Sequence, residues 1–321
     1  MILTVTINSL LERRFTFDNI ASGHENRNGL EELKAGGKGI NVSRQLNRLD
    51  IQNLAFTFIG GNNGKLLKEV LLQEGINFSF VRTSSETRNA VIAIDKSQSQ
   101  FTTYFGQNQE ISKEEANEFQ IKLEKMIQNC EAVVLSGSSP CKTTDSIFPA
   151  GIEIANKYDK ISLCDTYGNH LKDCIEAGPT IIHNNIEEAE RSLGITLSSE
   201  KEKCDYLDFL YSKNIKQVYI TDGGKEAYCS NFDYHFKVKL PEIKSVDSTG
   251  SGDSFVAGII YGWHNNLTFE NSLLLASSLG IANAASFGTS NVLLKDAGIF
   301  NNSISIQPVG KKMKTIDVSP D

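Results

Sequence analysis

The chain has 321 residues and carries 39 acidic and 32 basic side chains, which gives a formal net charge of -7. This balance argues against a nucleic-acid partner, because such a surface needs clustered Lys and Arg to displace counterions. The short run Lys311 to Lys314 is expected to be a solvated tail. The six cysteines form no Cys-x-x-Cys pair, and a chain of this size needs no disulfide framework, so they predict reduced thiols in a cytoplasmic protein.

The first apolar run, Met1 to Ile7, lacks the basic leader and cleavage site of a signal peptide and predicts a strand. After it, short β-branched runs alternate with helical patterns, which is typical of βαβ units around a mostly parallel sheet. The predicted strands are residues 2–7, 53–59, 131–136, 160–164, 179–183 and 216–221. The predicted helices are roughly residues 39–49, 63–74, 112–129, 144–157, 186–193 and 200–213.

Two segments, residues 9–34 and 86–106, break this alternation. Residues 90–95 and 100–105 have the pattern of a β-hairpin, and residues 15–20 form another extended piece. We expect these pieces to form a small accessory sheet beside the carboxyl ends of the first strands. In an open α/β sheet, ligands bind at that edge.

The longest uncharged run, residues 271–294, has the length of a membrane span. Its polar residues include Ser277, Ser278, Asn283, Ser286 and Asn291. These polar residues predict a helix followed by a loop, with no membrane contact. Because no Pro-, Gly- or Ser-rich linker divides the chain, residues 1–321 are expected to form one domain.

An early glycine cluster, Ala35-Gly-Gly-Lys-Gly-Ile-Asn-Val-Ser-Arg44, leads into the first predicted helix. Three glycines in four positions suit a backbone that touches a ligand, and Asn41 can both donate to and accept from sugar hydroxyls. The alternative is a flexible strand-to-helix turn that Asn41 caps.

A late cluster, Asp247-Ser-Thr-Gly-Ser-Gly-Asp-Ser254, separates a strand-like run ending near Lys239 from an apolar helical pattern beginning at Phe255. Free backbone amides and a helix N-terminus would make this segment an anion site. Asp253 would repel a bound phosphate, unless its carboxylate orients a hydroxyl for attack on that phosphate. A structural turn capped by Asp253 is the alternative.

Two common phosphate motifs are excluded. Gly64-Lys65 is not a P-loop, because Ile59 stands in place of its first glycine and Leu66 in place of the Ser or Thr that binds magnesium. The late cluster is not a dinucleotide fingerprint, because Phe255 occupies the position of the third glycine.

The two glycine clusters, in this order and about two hundred residues apart, resemble the early Gly-Gly-Lys-Gly-x-Asn-Val and late Asp-Thr-x-Gly-Ala-Gly-Asp signatures of the ribokinase-like carbohydrate kinases of the PfkB family. Further similar segments are Ser136 to Pro140, Asn185 to Glu188 and Thr221 to Gly224. The resemblance covers about residues 1–295. It implies a doubly wound α/β fold, a three-layer αβα sandwich with a mostly parallel sheet, and a small β-sheet lid formed by about residues 9–34 and 86–106.

Within this family, the hexose-phosphate kinases share two more segments. Thr6 to Glu12 is similar to their Thr-Leu-Asn-Pro-x-x-Asp opening, and Glu86-Thr-Arg-Asn89 is similar to a segment of tagatose-6-phosphate kinases. Arg88 and Arg27 would then clamp a phosphate, since a guanidinium binds it bidentately. The resemblance implies an acceptor that is already phosphorylated, with tagatose 6-phosphate favoured over fructose 1-phosphate and fructose 6-phosphate.

The resemblance also implies roles for individual residues. Asp253 would accept the hydroxyl proton, while N–H groups of Gly250, Ser251 and Gly252 stabilise charge on the transferring group. Because the helix terminus should depress the pKa of Asp253, we expect a weak base that mainly orients the nucleophile. The acceptor-binding residues would be Glu12, Arg27, Gly36, Gly37, Lys38, Asn41, Arg88 and Ser138. ATP would contact Asn185, Thr221, Gly223, Gly224, Ser248 and, near the base, Asn283. Mg²⁺ would bridge the phosphates, with Asn185 and Glu188 acting through water.

Four departures from the family pattern bear on the acceptor. Glu12 replaces an aspartate and Ser9 a proline, while His183-Asn184 replaces Lys-Pro and Cys141-Lys142 replaces Pro-Gly. His183 is expected to be a satisfied residue at the sheet edge with no role of its own. Asp247 is expected to be a structural or metal-side carboxylate.

Two other functions remain open. One is a kinase of a non-phosphorylated sugar or nucleoside, against which the two arginines argue. The other is a catalytically inactive sugar-binding or regulatory module on the same fold, against which Asp253 and its glycine loop argue. Edge-to-edge pairing of the predicted lid makes a homodimer plausible.

Overall fold

The computed structural model describes residues 1–309; the expected basic tail at Lys311 to Lys314 lies outside this range. The strands in this range are β1 (Ile2–Thr6), β2 (Leu10–Phe17), β3 (Leu30–Gly36), β4 (Asn53–Gly60), β5 (Phe78–Thr83), β6 (Arg88–Asp95), β7 (Gln100–Phe105), β8 (Ala132–Gly137), β9 (Ile161–Thr166), β10 (Ile181–Asn185), β11 (Gln217–Asp222), β12 (Glu226–Asn231), β13 (Tyr234–Lys239) and β14 (Ser305–Val309). The α-helices are α1 (Lys38–Arg48), α2 (Gly61–Gln73), α3 (Lys113–Gln128), α4 (Ile147–Lys157), α5 (Leu171–Glu176), α6 (Ile186–Leu193), α7 (Glu200–Ser212), α8 (Ser251–His264), α9 (Phe269–Ala284) and α10 (Leu294–Ala297).

A ten-stranded sheet has the order β14-β13-β12-β11-β10-β9-β8-β1-β4-β5. Neighbouring strands pair in parallel from β5 to β11, and β12, β13 and β14 extend the sheet in antiparallel pairing. Helices follow the parallel strands, as right-handed crossovers require.

Both faces of the large sheet are covered, because successive side chains of its central strands point to opposite sides. Val133 and Leu135 of β8 pack in the core shared with α3 and α4, whereas Ala132 and Val134 pack in the core shared with α1, α8 and α9. The result is the predicted three-layer αβα architecture.

A second sheet of four strands has the order β3-β2-β6-β7 and comes from the two segments that break the βα alternation. The predicted hairpin is present, since Ala90 of β6 pairs with Phe105 of β7 and Asp95 with Gln100. Leu11, Ala90 and Ile92 are buried on this small sheet, while most of β7 is exposed.

Several elements were not predicted from the sequence. Strands β5, β12 and β14 and the short helix α5 lack strong apolar periodicity, and three of the four contain exposed polar residues at sheet edges or surfaces. The helix expected from residue 144 begins at Ile147, after a 3-10 turn over residues 142–144. Among residues 1–309, none of the helices combines the length and apolar character that crossing a membrane requires.

Candidate active site

The carboxyl ends of the parallel strands and the small sheet enclose a cavity of about 940 Å³. Its walls include the ends of β1, β8, β10 and β11, the first turn of α8, and residues of β2, β6 and β7. A second cavity of about 970 Å³ lies between β3, α1 and α2 and contains none of the predicted site residues. The predicted chemistry therefore belongs to the first cavity.

Residues 247–252, here called the glycine loop, lead into α8 at one wall of the cavity. Gly250 has a φ of 81°, and a Cβ there would lie 2.5 Å from Thr289 Cγ2, so only glycine fits. Asp247 Oδ1 accepts a hydrogen bond from the Thr249 amide at 2.9 Å and holds the loop in shape. The Ser251 amide donates to the Ser248 carbonyl at 3.1 Å, but the next amides of the first turn of α8 have no partner within the helix, so this wall can bind an anion.

Asn283 of α9 supports the glycine loop from behind. Its Nδ2 donates to the Thr249 carbonyl at 2.8 Å and to Ser251 Oγ at 3.0 Å, and its Oδ1 accepts from the Ser290 amide at 2.7 Å. The side chain is fully buried and does not line the cavity. The expectation that Asn283 lies near the nucleotide base was therefore wrong, because the loop consumes all its hydrogen-bonding groups.

Asp253 lies in the first turn of α8, is 6% exposed, and accepts a hydrogen bond from Asn41 Nδ2 at 2.8 Å. Burial, with the negative charge of Asp165, raises the pKa of Asp253 to about 7, against the opposing effects of Lys38 and Asn41. The expected depression by the helix terminus was wrong, because loss of hydration outweighs the helix dipole here. A carboxyl group with this pKa can act as a base near neutral pH.

Lys38 lies between two carboxylates at the start of α1. Its Nζ is 2.9 Å from Glu188 Oε2 and 3.5 Å from Asp165 Oδ1, and it lies 4.9 Å from the centre of the Tyr167 ring. Burial opposes the charge of Lys38, but the two carboxylates hold the pKa of its ammonium above its ordinary value. The structure thus turns Lys38 toward the residues predicted for the metal, rather than toward the acceptor alone.

Asp165 of β9 was not predicted as a site residue. Burial opposes its charge, yet Lys38 and the hydrogen bonds from His183 and Ser136 hold the pKa of Asp165 well below its ordinary value. His183 Nδ1 lies 2.9 Å from Asp165 Oδ1, and its Nε2 lies 3.2 Å from Thr221 Oγ1. His183 is thus held in place, as expected, but it also lines the cavity.

Arg88 lines the opposite side of the cavity. Its Nη1 donates to Asn108 Oδ1 at 2.9 Å, and its guanidinium lies 5.4 Å from the centre of the Phe105 ring. Burial lowers the pKa of Arg88 below its ordinary value, but a guanidinium stays charged in proteins. Ser138 also lines this side and accepts from Asn8 Nδ2 at 3.0 Å.

Glu12, on β2, lines the cavity and is 7% exposed. Burial raises its pKa, while Arg14 counteracts that effect with its Nε 3.2 Å from Glu12 Oε2. Gly36 lies behind this carboxylate, since a Cβ at Gly36 would be 2.7 Å from Glu12 Oε1. Gly37 lines the cavity with a φ of 123°, where α1 begins.

Arg27 is not brought to the cavity of its own chain. It lies between β2 and β3, its side chain is 79% exposed, and it pairs with Glu25. The predicted contact of Arg27 with the acceptor phosphate is therefore absent within this chain, because Arg27 lies in the exposed segment before β3, away from the cavity wall.

The predicted nucleotide residues other than Asn283 share one wall of the cavity. They are Asn185, Thr221, Gly223, Gly224 and Ser248. Asn185 Oδ1 also caps α6 by accepting from the Glu187 amide at 2.9 Å.

The donor chemistry of this wall suits Mg²⁺, which prefers oxygen ligands, retains several waters and shares phosphate oxygens. Within residues 1–309, no group of three or more His, Cys, Asp or Glu could hold a metal by itself. Glu188 and the Asn185 amide, which line the cavity, could hold magnesium only together with water and phosphate.

Comparisons with known proteins agree with this geometry. The sequence profile of the pfkB family carbohydrate kinases matches residues 11–296. The chain is 27% identical over 321 residues to a tagatose-6-phosphate kinase of Staphylococcus epidermidis, covering 99% of this chain and 100% of that protein.

Two solved structures have the same fold. One is described as a possible 1-phosphofructokinase of Thermotoga maritima, with a TM-score of 0.88 and 21% identity, covering 96% of this chain and 99% of that one. The other is phosphofructokinase-2 of Escherichia coli, with a TM-score of 0.84 and 20% identity, covering 94% and 98%. The predicted family and the similarity to hexose-phosphate kinases are confirmed, and ATP is the phosphoryl donor that this family implies. The chain belongs to the pfkB family of carbohydrate kinases.

Proposed function

We propose that this enzyme transfers the γ-phosphoryl group of ATP to a hydroxyl of a ketohexose monophosphate and so forms the bisphosphate. The observation that carries the proposal is that Asp253 and Arg88 face one cavity. A carboxylate that can take a hydroxyl proton is thus combined with a guanidinium that can bind a phosphate already on the acceptor.

Asp253 accepts the proton of the attacking hydroxyl. Its pKa of about 7 makes it a stronger base than an exposed aspartate, and the Asn41 amide fixes the orientation of its carboxylate. The backbone amides of Gly250 and Gly252 stabilise the negative charge of the transferring group, whereas the Ser251 amide, predicted to join them, already donates to the Ser248 carbonyl at 3.1 Å.

The nucleotide lies along the wall formed by Thr221, Gly223, Gly224, Ser248 and the glycine loop. Asn185 and Glu188 would hold Mg²⁺ through water, where the bound ion would supply positive charge to the phosphates. Lys38 lies close enough to Glu188 to contribute a further positive charge on this side.

The acceptor lies between α1 and the small sheet, which serves as a lid. Its hydroxyls contact Glu12, Asn41 and Ser138, the backbone at Gly37 approaches it closely, and Arg88 binds its phosphate. Gly36, predicted to contact the acceptor, lies behind Glu12 and does not line the cavity. Tagatose 6-phosphate is the favoured acceptor, supported by the segment Glu86 to Asn89 and by the 27% identity with a tagatose-6-phosphate kinase.

We also propose that the protein is cytoplasmic, since none of its six cysteines forms a disulfide within residues 1–309.

We further propose that the protein is a homodimer that pairs through the small sheet. Leu30, Tyr104 and Phe105 expose large apolar surfaces on that sheet, a feature that favours association. Arg27 would then lie near the contact, and light scattering of the purified protein gives the oligomeric state directly.

An ADP-release assay tests the function. Tagatose 6-phosphate, fructose 1-phosphate and fructose 6-phosphate are compared with free tagatose, free fructose and a nucleoside at equal concentrations with MgATP. Release that depends on a ketohexose monophosphate supports the proposal. Release with unphosphorylated acceptors alone would overturn it, and no release with any acceptor would favour an inactive binding module.

A further inference from the structure

Arg14 is a buried arginine to which the sequence patterns assigned no role. It lies on β2, is 4% exposed, and does not line the cavity. Its Nε is 3.2 Å from Glu12 Oε2, while its Nη2 is 3.3 Å from Asp247 Oδ2 and 3.1 Å from Thr289 Oγ1. One guanidinium therefore contacts two carboxylates from different parts of the chain, Glu12 of β2 in the cavity wall and Asp247 of the glycine loop.

Each of these carboxylates belongs to one half of the proposed reaction. Glu12 faces the acceptor side of the cavity. Asp247 holds the Thr249 amide of the glycine loop, and Thr289 packs against Gly250 in the same loop. Arg14 thus connects the small sheet with the anion site across 233 residues of sequence.

The connection through Arg14 compensates the charges of two buried carboxylates. Glu12 and Asp247 are 7% and 5% exposed, so each needs a positive partner in place of water. Arg44 and Lys34 also act on Glu12, but Arg14 has the largest effect of the three. A movement of Glu12 that displaced Arg14 would leave Asp247 less compensated, and the reverse also holds.

We propose that Arg14 is a positioning residue that couples acceptor binding at Glu12 to ATP binding at the glycine loop, an inference that rests on the proposed function. An acceptor hydroxyl on Glu12 fixes that carboxylate and, with it, the guanidinium. A phosphate on the glycine loop favours the same guanidinium position, because the guanidinium neutralises Asp247, whose negative charge would otherwise repel the phosphate. Both ligands therefore stabilise one arrangement, and each raises the affinity of the other.

Calorimetry in a D253N background, which prevents turnover, measures this coupling. The dissociation constant of MgATP is determined without and with saturating tagatose 6-phosphate. We expect the sugar phosphate to tighten MgATP binding about fivefold or more in D253N. In the R14Q/D253N protein, the dissociation constants of MgATP without and with the sugar phosphate should be nearly equal. R14K/D253N should keep part of the coupling, because lysine keeps the positive charge but its single ammonium cannot contact both carboxylates as the guanidinium does.

R13Q/D253N is the matched control. Arg13 is the preceding residue of β2, points to the other face, and pairs with Glu31 at the surface, so its loss should leave the coupling unchanged. A merely structural role for Arg14 would weaken both ligands without changing the ratio. R14Q/D247N/D253N removes both charges together and serves if R14Q/D253N does not fold.

The outcomes separate the two proposals. If D253N binds both ligands without coupling, or if the coupling survives in R14Q/D253N or R14Q/D247N/D253N, the role of Arg14 is overturned while the kinase function stands. If the wild-type enzyme uses no ketohexose phosphate, the proposed function fails first and the inference falls with it.

Discussion

The glycine loop and the small sheet face the same cavity but are built in opposite ways. Behind the loop, Asn283 and Ser254 are fully buried and satisfy their hydrogen bonds within the protein. On the small sheet, Leu30 is 74% and Phe105 66% exposed. The loop is thus fixed by its surroundings, whereas the sheet is supported on one face only.

This difference assigns the two parts of the reaction to two kinds of structure. Phosphoryl transfer needs donors held in place before the charge develops, and a buried network provides them. In the proposed function, acceptor choice depends on a few side chains of the small sheet, which lie apart from that network. Arg14 is the exception, since it belongs to the sheet and contacts the loop. The predictions below test this division.

The largest effect is expected from D253N. Asparagine keeps the shape and can still accept from Asn41, but it cannot take the hydroxyl proton. We expect kcat to fall about 10²- to 10⁴-fold, while MgATP binding is not weakened. D205N, an exposed change on α7 where Asp205 pairs with Lys201, is the control. Near-normal turnover of D253N would remove Asp253 from the reaction.

The same variant should stabilise the protein in a pH-dependent way. The ordinary pKa of this carboxyl is 3.8, and its folded value is about 7, so between these pH values the folded protein binds more protons than the unfolded chain. The buried charge therefore costs stability as the pH rises. We expect D253N to raise the free energy of unfolding by up to about 3 kcal/mol at pH 8 and hardly at all at pH 4. Denaturant unfolding at both pH values measures this, and equal stability of D253N and wild type at pH 8 would contradict the raised pKa.

The loop network predicts a smaller loss for N283A. The change leaves the Thr249 carbonyl and the Ser290 amide without their partner, which should cost about 1–3 kcal/mol of stability and lower kcat. N271A, at an exposed position of the same helix, should change neither. Thermal unfolding and steady-state kinetics report the two effects, and an unchanged kcat would show that the loop does not depend on Asn283.

The smallest effect is expected from F105L on β7 of the small sheet. F105L removes the ring that lies against the Arg88 guanidinium, an interaction worth about 0.5–1 kcal/mol at an exposed site. KM for the sugar phosphate should rise about two- to fivefold with kcat unchanged. Y104L, at the neighbouring exposed residue, is the control. A fall in kcat for F105L would mean that the sheet takes part in phosphoryl transfer.

Local sequence patterns were enough to predict most of the fold. The β-branched runs located the central strands because both faces of that sheet are buried, and the glycine clusters located the turns beside the cavity. The edge strand β14 was not predicted, since it alternates less clearly where water covers part of it. Asp165 could have been found from its position at the carboxyl end of a predicted parallel strand.

Other features of the site depend on contacts that sequence patterns do not show. The pKa of Asp253 is raised by burial and by Asp165, which is 88 residues away. The local helix terminus alone predicted a lowered pKa. Arg14 and Asp247 are 233 residues apart, and no spacing rule connects them. Asn283 was expected near the nucleotide base, but its side chain instead binds the Thr249 carbonyl and the Ser290 amide.

The most direct test of the division between loop and sheet compares kcat/KM for tagatose 6-phosphate and for tagatose in the wild-type enzyme and in R88Q. The account predicts a strong wild-type preference for the sugar phosphate that falls about 10- to 1,000-fold in R88Q, with the rate on the free sugar unchanged. An equal loss on both acceptors in R88Q would contradict the account, because Arg88 would then support the site without reading the acceptor phosphate.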